Sequence, residues 1–191
     1  MIGAKLGHFL DRPLAPLAKR ISVSPNALSI LGFLITAVAA LLIPFDIRLG
    51  GLLILLGGFF DMLDGIVART NGKKTVYGAF LDSTLDRYSD ALLFLAVAWY
   101  FFDRGHPTGM LLTGGALAGA LLISYVRARA EALGIDCQVG LMERPERIVL
   151  LAAGCILGGL LYLMILLFLL SHITVIQRIA YVYRRSRQSS S

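Results

Sequence analysis

Charge is scarce in this chain of 191 residues. Lys, Arg, Asp and Glu make up 16% of it and hydrophobic residues 57%, where a soluble domain carries about 25% charged residues. This excludes an ordinary soluble globular protein. Cysteine is nearly absent too. Cys137 and Cys155 fall on different segments, which excludes a disulfide framework. The three histidines, His8, His106 and His172, are scattered over separate segments and are not expected to carry the chemistry. No internal repeat is visible, and no small-residue cleavage site follows the N-terminal stretch, which excludes a signal peptide. Nucleic-acid binding is excluded as well, because no soluble basic domain exists to carry the net charge of +6.

What is present is a series of apolar runs. A bilayer span needs about 20 mostly apolar residues, and the candidates are 27–45, 49–69, 77–102, 107–133, 145–158 and 159–183. The last two form one apolar tract from Ile148 to Ile176, too long for a single span, and Gly158-Gly159 is the natural place for it to reverse. The expected fold is an all-α integral membrane protein with six transmembrane helices. Ser24 is placed to cap the first of them, with Pro25 in its first turn. Residues 1–23 mix apolar residues with Lys5, Arg12, Lys19 and Arg20 and read as an interfacial amphipathic segment. Residues 24–183 form the six-helix domain, and the basic, Ser-rich stretch 184–191 reads as a disordered tail whose arginines touch anionic membrane lipid.

Six spans with a cytoplasmic N-terminus put sixteen of the eighteen lysines and arginines inside and only Arg48 and Arg104 outside. That bias fixes the expected orientation in the cell membrane, with both termini on the cytoplasmic side.

The informative residues are acidic. Asp61, Asp64, Asp82, Asp86 and Asp90 lie on the second and third spans, near their expected cytoplasmic ends. An aspartate at the centre of a span costs about 2.5–3.5 kcal/mol on insertion scales, and less near the interface. Asp61, Asp64, Gly65 and Ala68 stand at i, i+3, i+4 and i+7 and share a helix face; Gly78, Asp82, Asp86 and Asp90 do so at steps of four. Two antiparallel helices joined by the polar turn Thr70–Thr75 can aim four carboxylates at one another. Gly65, Ala68 and Gly78 leave room there for something bulky. Such a cluster calls for hard divalent cations, which accept oxygen ligands and bridge phosphates. Two ions shared among the carboxylates would resemble the two-metal sites of phosphoryl transfer. Asp90 has an equal claim to a structural ion pair with Arg87 or another cation.

The string Asp61-x2-Asp64-Gly65-x2-Ala68-Arg69-x8-Gly78-x3-Asp82-x3-Asp86 matches the signature of the CDP-alcohol phosphotransferases at every specified position, so the chain resembles that family. The resemblance implies an enzyme that transfers a phosphatidyl-type group from a CDP-linked lipid to a small alcohol and releases CMP. Asp61, Asp64 and Asp82, with Asp86 beside them, would bind two Mg²⁺ ions, or Mn²⁺. Asp86 would be the general base on the acceptor hydroxyl. Asn26, Ser29, Gly65, Ala68, Arg69, Thr75 and Gly78 would contact the CDP-lipid. A homodimer is a further implication.

A second set of cations gathers on the same side: Arg127 and Arg129, Arg144 and Arg147, and Arg178. More arginines than the donor needs suggest that the acceptor is itself a phosphate ester, which arginine grips in a fork. The bland reading is that they follow the positive-inside rule or neutralise Glu131, Glu143 and Glu146; it weighs most on Arg129 and Arg144. The segments Ser124–Glu131 and Glu143–Arg147 resemble the branch that makes phosphatidylinositol phosphate or archaetidylinositol phosphate. That likeness assigns Arg127, Arg147 and Arg178 to the phosphate of inositol 1-phosphate. The competing acceptor is glycerol 3-phosphate, as in phosphatidylglycerol-phosphate synthases. From a different class, the carboxylates could form the ion site of a divalent-cation transporter or channel, although such sites usually lie near the midplane between inverted repeats.

Overall fold

The computed structural model describes residues 23–188 together with 16, 18, 19 and 21. From Pro25 onward, six helices follow in order among the described residues: α1 (Pro25–Leu42), α2 (Ile47–Thr70), α3 (Val76–Asp103), α4 (Pro107–Ala132), α5 (Arg144–Leu157) and α6 (Leu160–Gln188). No strand occurs among the described residues. A helix stands at each of the six expected positions, and the protein is an all-α membrane protein. Four helices, α1, α2, α4 and α6, are long and apolar enough to cross a bilayer on those grounds alone. The other two depart for reasons that concern the site. Helix α3 has the length, but Asp82, Asp86, Arg87 and Asp90 load its first half with charge. Helix α5 has only 14 residues, about 21 Å at 1.5 Å per residue, against a hydrocarbon core about 30 Å thick.

Local signals explain the helix ends. Ser24 caps α1 by accepting from Ala27 N at 3.3 Å, and Asp46 caps α2 by accepting from Arg48 N and Leu49 N at 3.1 and 3.0 Å. Thr75 caps α3 by accepting from Gly78 N at 2.9 Å. Glu143 and Glu146 form a reciprocal capping box at the start of α5. The reversal at Gly158-Gly159 is as expected: φ is +88° and +74° there, a region that side chains with a Cβ resist. At the other end, α6 runs on to Gln188. Residues 184–188 are therefore helical, where the sequence led us to expect a disordered tail. Residues 189–191 lie outside the described set, as does nearly all of the expected interfacial segment 1–23. Of that segment, Ala18 is buried against Leu28, Leu63, Ile66 and Val67.

The main core joins all six helices, with Ala39 and Ala40, Ile54, Leu93 and Val97, Ala116 and Ala120, Leu151 and Ala152, and Met164 and Leu167 as representatives. Large apolar residues such as Leu34, Leu52, Leu111 and Leu169 face outward, as helices surrounded by lipid require. Small residues set the packing distances. A Cβ on Gly32 would lie 3.1 Å from Gly57 O, and one on Gly57 would collide with Thr36 Oγ1, so α1 and α2 cross in close contact.

Helix α1 packs against both α2 and α3, and α5 packs against α2. The two acidic helices α2 and α3, by contrast, are not packed along each other. The space between them belongs to the site.

Candidate metal centre and its two cavities

The i, i+3 spacing on α2 brings Asp61 and Asp64 to one face, and the close crossing of α1 brings Ser29 over them. The Ser29 hydroxyl donates to Asp64 Oδ2, and Asp64 is buried. From α3, Asp82 completes a trio. One carboxylate oxygen from each of Asp61, Asp64 and Asp82 lies within 4.8 Å of the others. Three carboxylates gathered this closely repel one another unless a cation lies among them. The donor set is all oxygen and thus suits a hard divalent cation. These residues fit divalent-metal binding.

Asp86, one turn further along α3, stands apart from the trio. Its Oδ1 lies 2.6 Å from Arg144 Nη1 and its Oδ2 3.4 Å from Arg87 Nη1. Arg144 Nη1 also contacts Asp61 Oδ2. One guanidinium of α5 thereby bridges the facing acids of α2 and α3. The sequence suggested four carboxylates aimed at one another; three converge and the fourth meets an arginine.

Two cavities flank this centre. The first, about 290 Å³, is lined by Asn26, Ser29, Gly65, Ala68, Arg69, Thr75 and Gly78, together with Asp64 and Asp82. All seven residues expected to contact a CDP-lipid are in its wall. Small residues open it: a Cβ on Gly78 would lie 2.9 Å from both Asn26 Oδ1 and Thr75 Oγ1. Lys73 and Lys74, from the turn after α2, also line it. Sequence reasoning passed over this pair, although two lysines four and five residues after the signature's Arg69 were a visible signal.

The second cavity, about 190 Å³, is lined by Asp86, Arg87, Ser124, Arg127, Glu143, Arg144, Arg147 and Arg178, among others. Arg127, Arg147 and Arg178, from three different helices, all reach it, while Arg129 is exposed and does not. Each of the three has a partner. Arg127 Nε pairs with Glu131 Oε1 at 2.8 Å, and Arg147 Nη2 with Asp90 Oδ2 at 2.6 Å. Arg178, fully buried, donates from Nε to Val139 O at 2.8 Å and from Nη1 to Ile123 O at 2.6 Å. It thus ties the loop before α5 to helix α4. Asp90 is an ion-pair partner, as one of its two readings held, and its cation is Arg147. Arg144, counted in the sequence among the gathered arginines but left out of the acceptor pocket because the bland reading weighed more on it, is the residue that sequence reasoning most undervalued. Cations in a helix's first turn run against its dipole, so Arg144 and Arg147 at the start of α5 were already a sign of anionic partners.

An all-helical membrane protein with an acidic metal-binding cluster between a small-residue cavity and an arginine-rich one is suited to transferring a phosphorylated group at the bilayer surface. The chain belongs to the CDP-alcohol phosphatidyltransferase family, whose model matches residues 22–183. It is 40% identical to the archaetidylinositol phosphate synthase of Methanothermobacter thermautotrophicus over 183 residues, 92% of this chain and 91% of the relative. It also resembles solved structures of the phosphatidylinositol phosphate synthase of Mycobacterium tuberculosis. The one with CDP-DAG bound gives a TM-score of 0.81 at 34% identity, covering 91% of this chain and 93% of that one. The one in complex with manganese and citrate gives 0.78, also at 34% identity, covering 91% and 88%. The chain is accordingly a membrane phosphotransferase, and the transporter or channel reading falls.

Proposed function

We propose that the protein transfers the phosphatidyl-type group of a CDP-linked lipid to inositol 1-phosphate and releases CMP. The observation that carries this reading is the placement of the two cavities. Asp64 and Asp82 line the one built from small residues, and Asp86 lines the one built from arginines, so donor and acceptor can meet across the carboxylates. The donor's nucleotide would lie over Gly65, Ala68 and Gly78, with Arg69 and Thr75 toward its phosphates and Asn26 and Ser29 at the start of α1. The acceptor's phosphate would lie against Arg127, Arg147 and Arg178.

In the reaction the acceptor hydroxyl oxygen forms a bond to the lipid-bearing phosphorus of the diphosphate. The bond from that phosphorus to the CMP oxygen breaks, and Asp86 takes the hydroxyl proton. Asp61, Asp64 and Asp82, with Asp86 near them, would hold two divalent ions, Mg²⁺ or Mn²⁺. Such ions, when bound, neutralise charge on the diphosphate and the departing CMP. The relative with manganese bound supports that metal class. Arg144 and Arg87 hold the two oxygens of Asp86 in place between the cavities.

The acceptor follows from the arginines and from the names of the relatives. A cationic alcohol such as choline would be repelled by this cavity, whereas inositol 1-phosphate and glycerol 3-phosphate would both be attracted. The inositol reading is preferred because the two relatives described above are an archaetidylinositol phosphate synthase and a phosphatidylinositol phosphate synthase. The lipid is CDP-diacylglycerol or its archaeol counterpart. The inward bias of the cations supports a site and termini facing the cytoplasm, and the family resemblance supports a homodimer. The test is an assay of the purified enzyme with CDP-diacylglycerol or CDP-archaeol, offering inositol 1-phosphate, glycerol 3-phosphate and free inositol in parallel. CMP release dependent on inositol 1-phosphate is expected. Preferential use of glycerol 3-phosphate would leave the phosphate pocket standing and remove the inositol reading.

A further inference from the structure

Behind the arginine cavity lies a contact that the family signature does not include. Asp90 stands one turn after Asp86 on α3 and is 2% exposed. Its Oδ2 meets Arg147 Nη2 at 2.6 Å, and both side chains are 3% exposed. Its Oδ1 is buried with no hydrogen-bond partner among the described residues, and the same holds for Arg144 Nε and Arg147 Nε. Asp90 Oδ1 lies 4.0 Å from Arg144 Nε. One carboxylate therefore grips Arg147 with one oxygen and faces Arg144 with the other.

The arrangement answers a problem set by α5. Arg144 and Arg147 are three residues apart, on one face of the helix's first turn, and both are withdrawn from water. Two like charges there repel each other, and the helix dipole disfavours each of them. Asp61 and Asp86 draw Arg144 toward the metal centre, but neither is recorded in contact with Arg147. Among the described residues Asp90 is the acid seen bonded to Arg147, and its carboxylate sets the direction of that guanidinium fork.

We propose that Asp90 is a positioning residue for the acceptor, orienting Arg147 toward the phosphate and holding Arg144 in register beside it. This rests on the reading of Arg147 as a phosphate ligand. Asp90 touches neither substrate and acts through the two arginines. Its signature is therefore a change in acceptor affinity without a change in donor affinity, which a residue that merely supports the fold would not produce.

The test compares four variants of the full-length enzyme in detergent or nanodiscs: Asp90→Asn, Asp90→Glu, Arg147→Gln and the double variant Asp90→Asn/Arg147→Gln. For each, KM for inositol 1-phosphate, KM for the CDP-lipid and kcat are measured. Losing the orienting charge should raise the acceptor KM about tenfold in Asp90→Asn, the loss of one charge-assisted contact, with donor KM and kcat nearly unchanged. Asp90→Glu should fall between the parent and Asp90→Asn, since it keeps the charge on a longer arm. The double variant should be no worse toward the acceptor than Arg147→Gln alone, because Asp90 has then nothing left to orient. Losses that multiply in the double variant, or donor and acceptor KM rising together in Asp90→Asn, would overturn the proposal. Removing one member of a buried pair can prevent folding. If Asp90→Asn does not accumulate, Asp90→Glu decides, and an acceptor KM equal to the parent's overturns the proposal. If Arg147→Gln itself leaves the acceptor KM unchanged, the phosphate-pocket reading fails first, and the Asp90 proposal with it.

Discussion

The two cavities are built on opposite plans. The first takes nearly all its wall from one continuous stretch, Asp64 to Asp82, plus the start of α1, and it is open because glycine and alanine leave space. The second draws on α3, α4, α5 and α6, and it is lined by charged side chains, several of which pair within the wall, Asp86 with Arg87 and Arg144 and Glu143 with Arg178. A cavity made by small residues can admit a large nucleotide, but it has few groups that discriminate. A cavity made by arginines held on several helices reads charge and geometry, and it can be retuned by changes far apart in sequence. The comparison teaches that the donor side is fixed by a motif and the acceptor side by tertiary structure.

The largest expected effect falls on the centre shared by both. Asp64→Asn removes a ligand charge and should abolish turnover and weaken Mn²⁺ binding, read by electron paramagnetic resonance, while the protein still purifies with the parent's elution profile. Substantial Mg²⁺-dependent activity in that variant would refute the metal assignment. Next is Asp86→Asn. Loss of a general base costs about 10²–10⁴ in rate, and binding of the CDP-lipid should survive. If donor affinity falls along with turnover, Asp86 is a metal ligand rather than a base.

Arg178→Gln should break the symmetry in the other direction. It removes one phosphate contact, worth about 1.5–3 kcal/mol, or roughly ten- to hundredfold in acceptor efficiency. It also releases the carbonyls of Val139 and Ile123, so the thermal midpoint should drop as well, which differential scanning fluorimetry would detect. An unchanged midpoint would show that those contacts do not hold the loop. The smallest effect should come from Gly78→Ala. Its Cβ would press on Asn26 Oδ1 and Thr75 Oγ1 at 2.9 Å, both ends of side chains that can yield. A modest rise in donor KM with the acceptor KM unchanged is expected.

This contrast also governs how much the sequence disclosed. The helices were legible because apolar runs and polar turns alternate plainly, and Gly158-Gly159 marked a reversal inside an otherwise seamless tract. The donor wall was legible because the string Asp61 to Asp86 and the start of α1 resemble the family's donor-contacting stretches; helical spacing alone gave only the shared faces and the room beside Gly65, Ala68 and Gly78. The position of Arg144 was not, because which acid a guanidinium reaches depends on how α5 lies against α2 and α3, and no local pattern encodes that. The same holds for the gap between α2 and α3. Their spacing put the acids on facing sides, but α1 packs against both helices while they do not pack along each other, and no local pattern encodes that. The helical run of residues 184–188 was missed because a basic, Ser-containing stretch gives no apolar periodicity, and there α6 simply continues past its apolar part.

The separation of the two cavities is tested most directly by Arg127→Gln. This arginine lines only the second cavity and is not part of the buried core, so its loss should leave the fold intact. The measurement is a pair of steady-state titrations, inositol 1-phosphate at saturating CDP-lipid and the reverse. The account predicts an acceptor KM raised roughly tenfold with the donor KM unchanged. Equal increases in both, or a change confined to the donor, would contradict it.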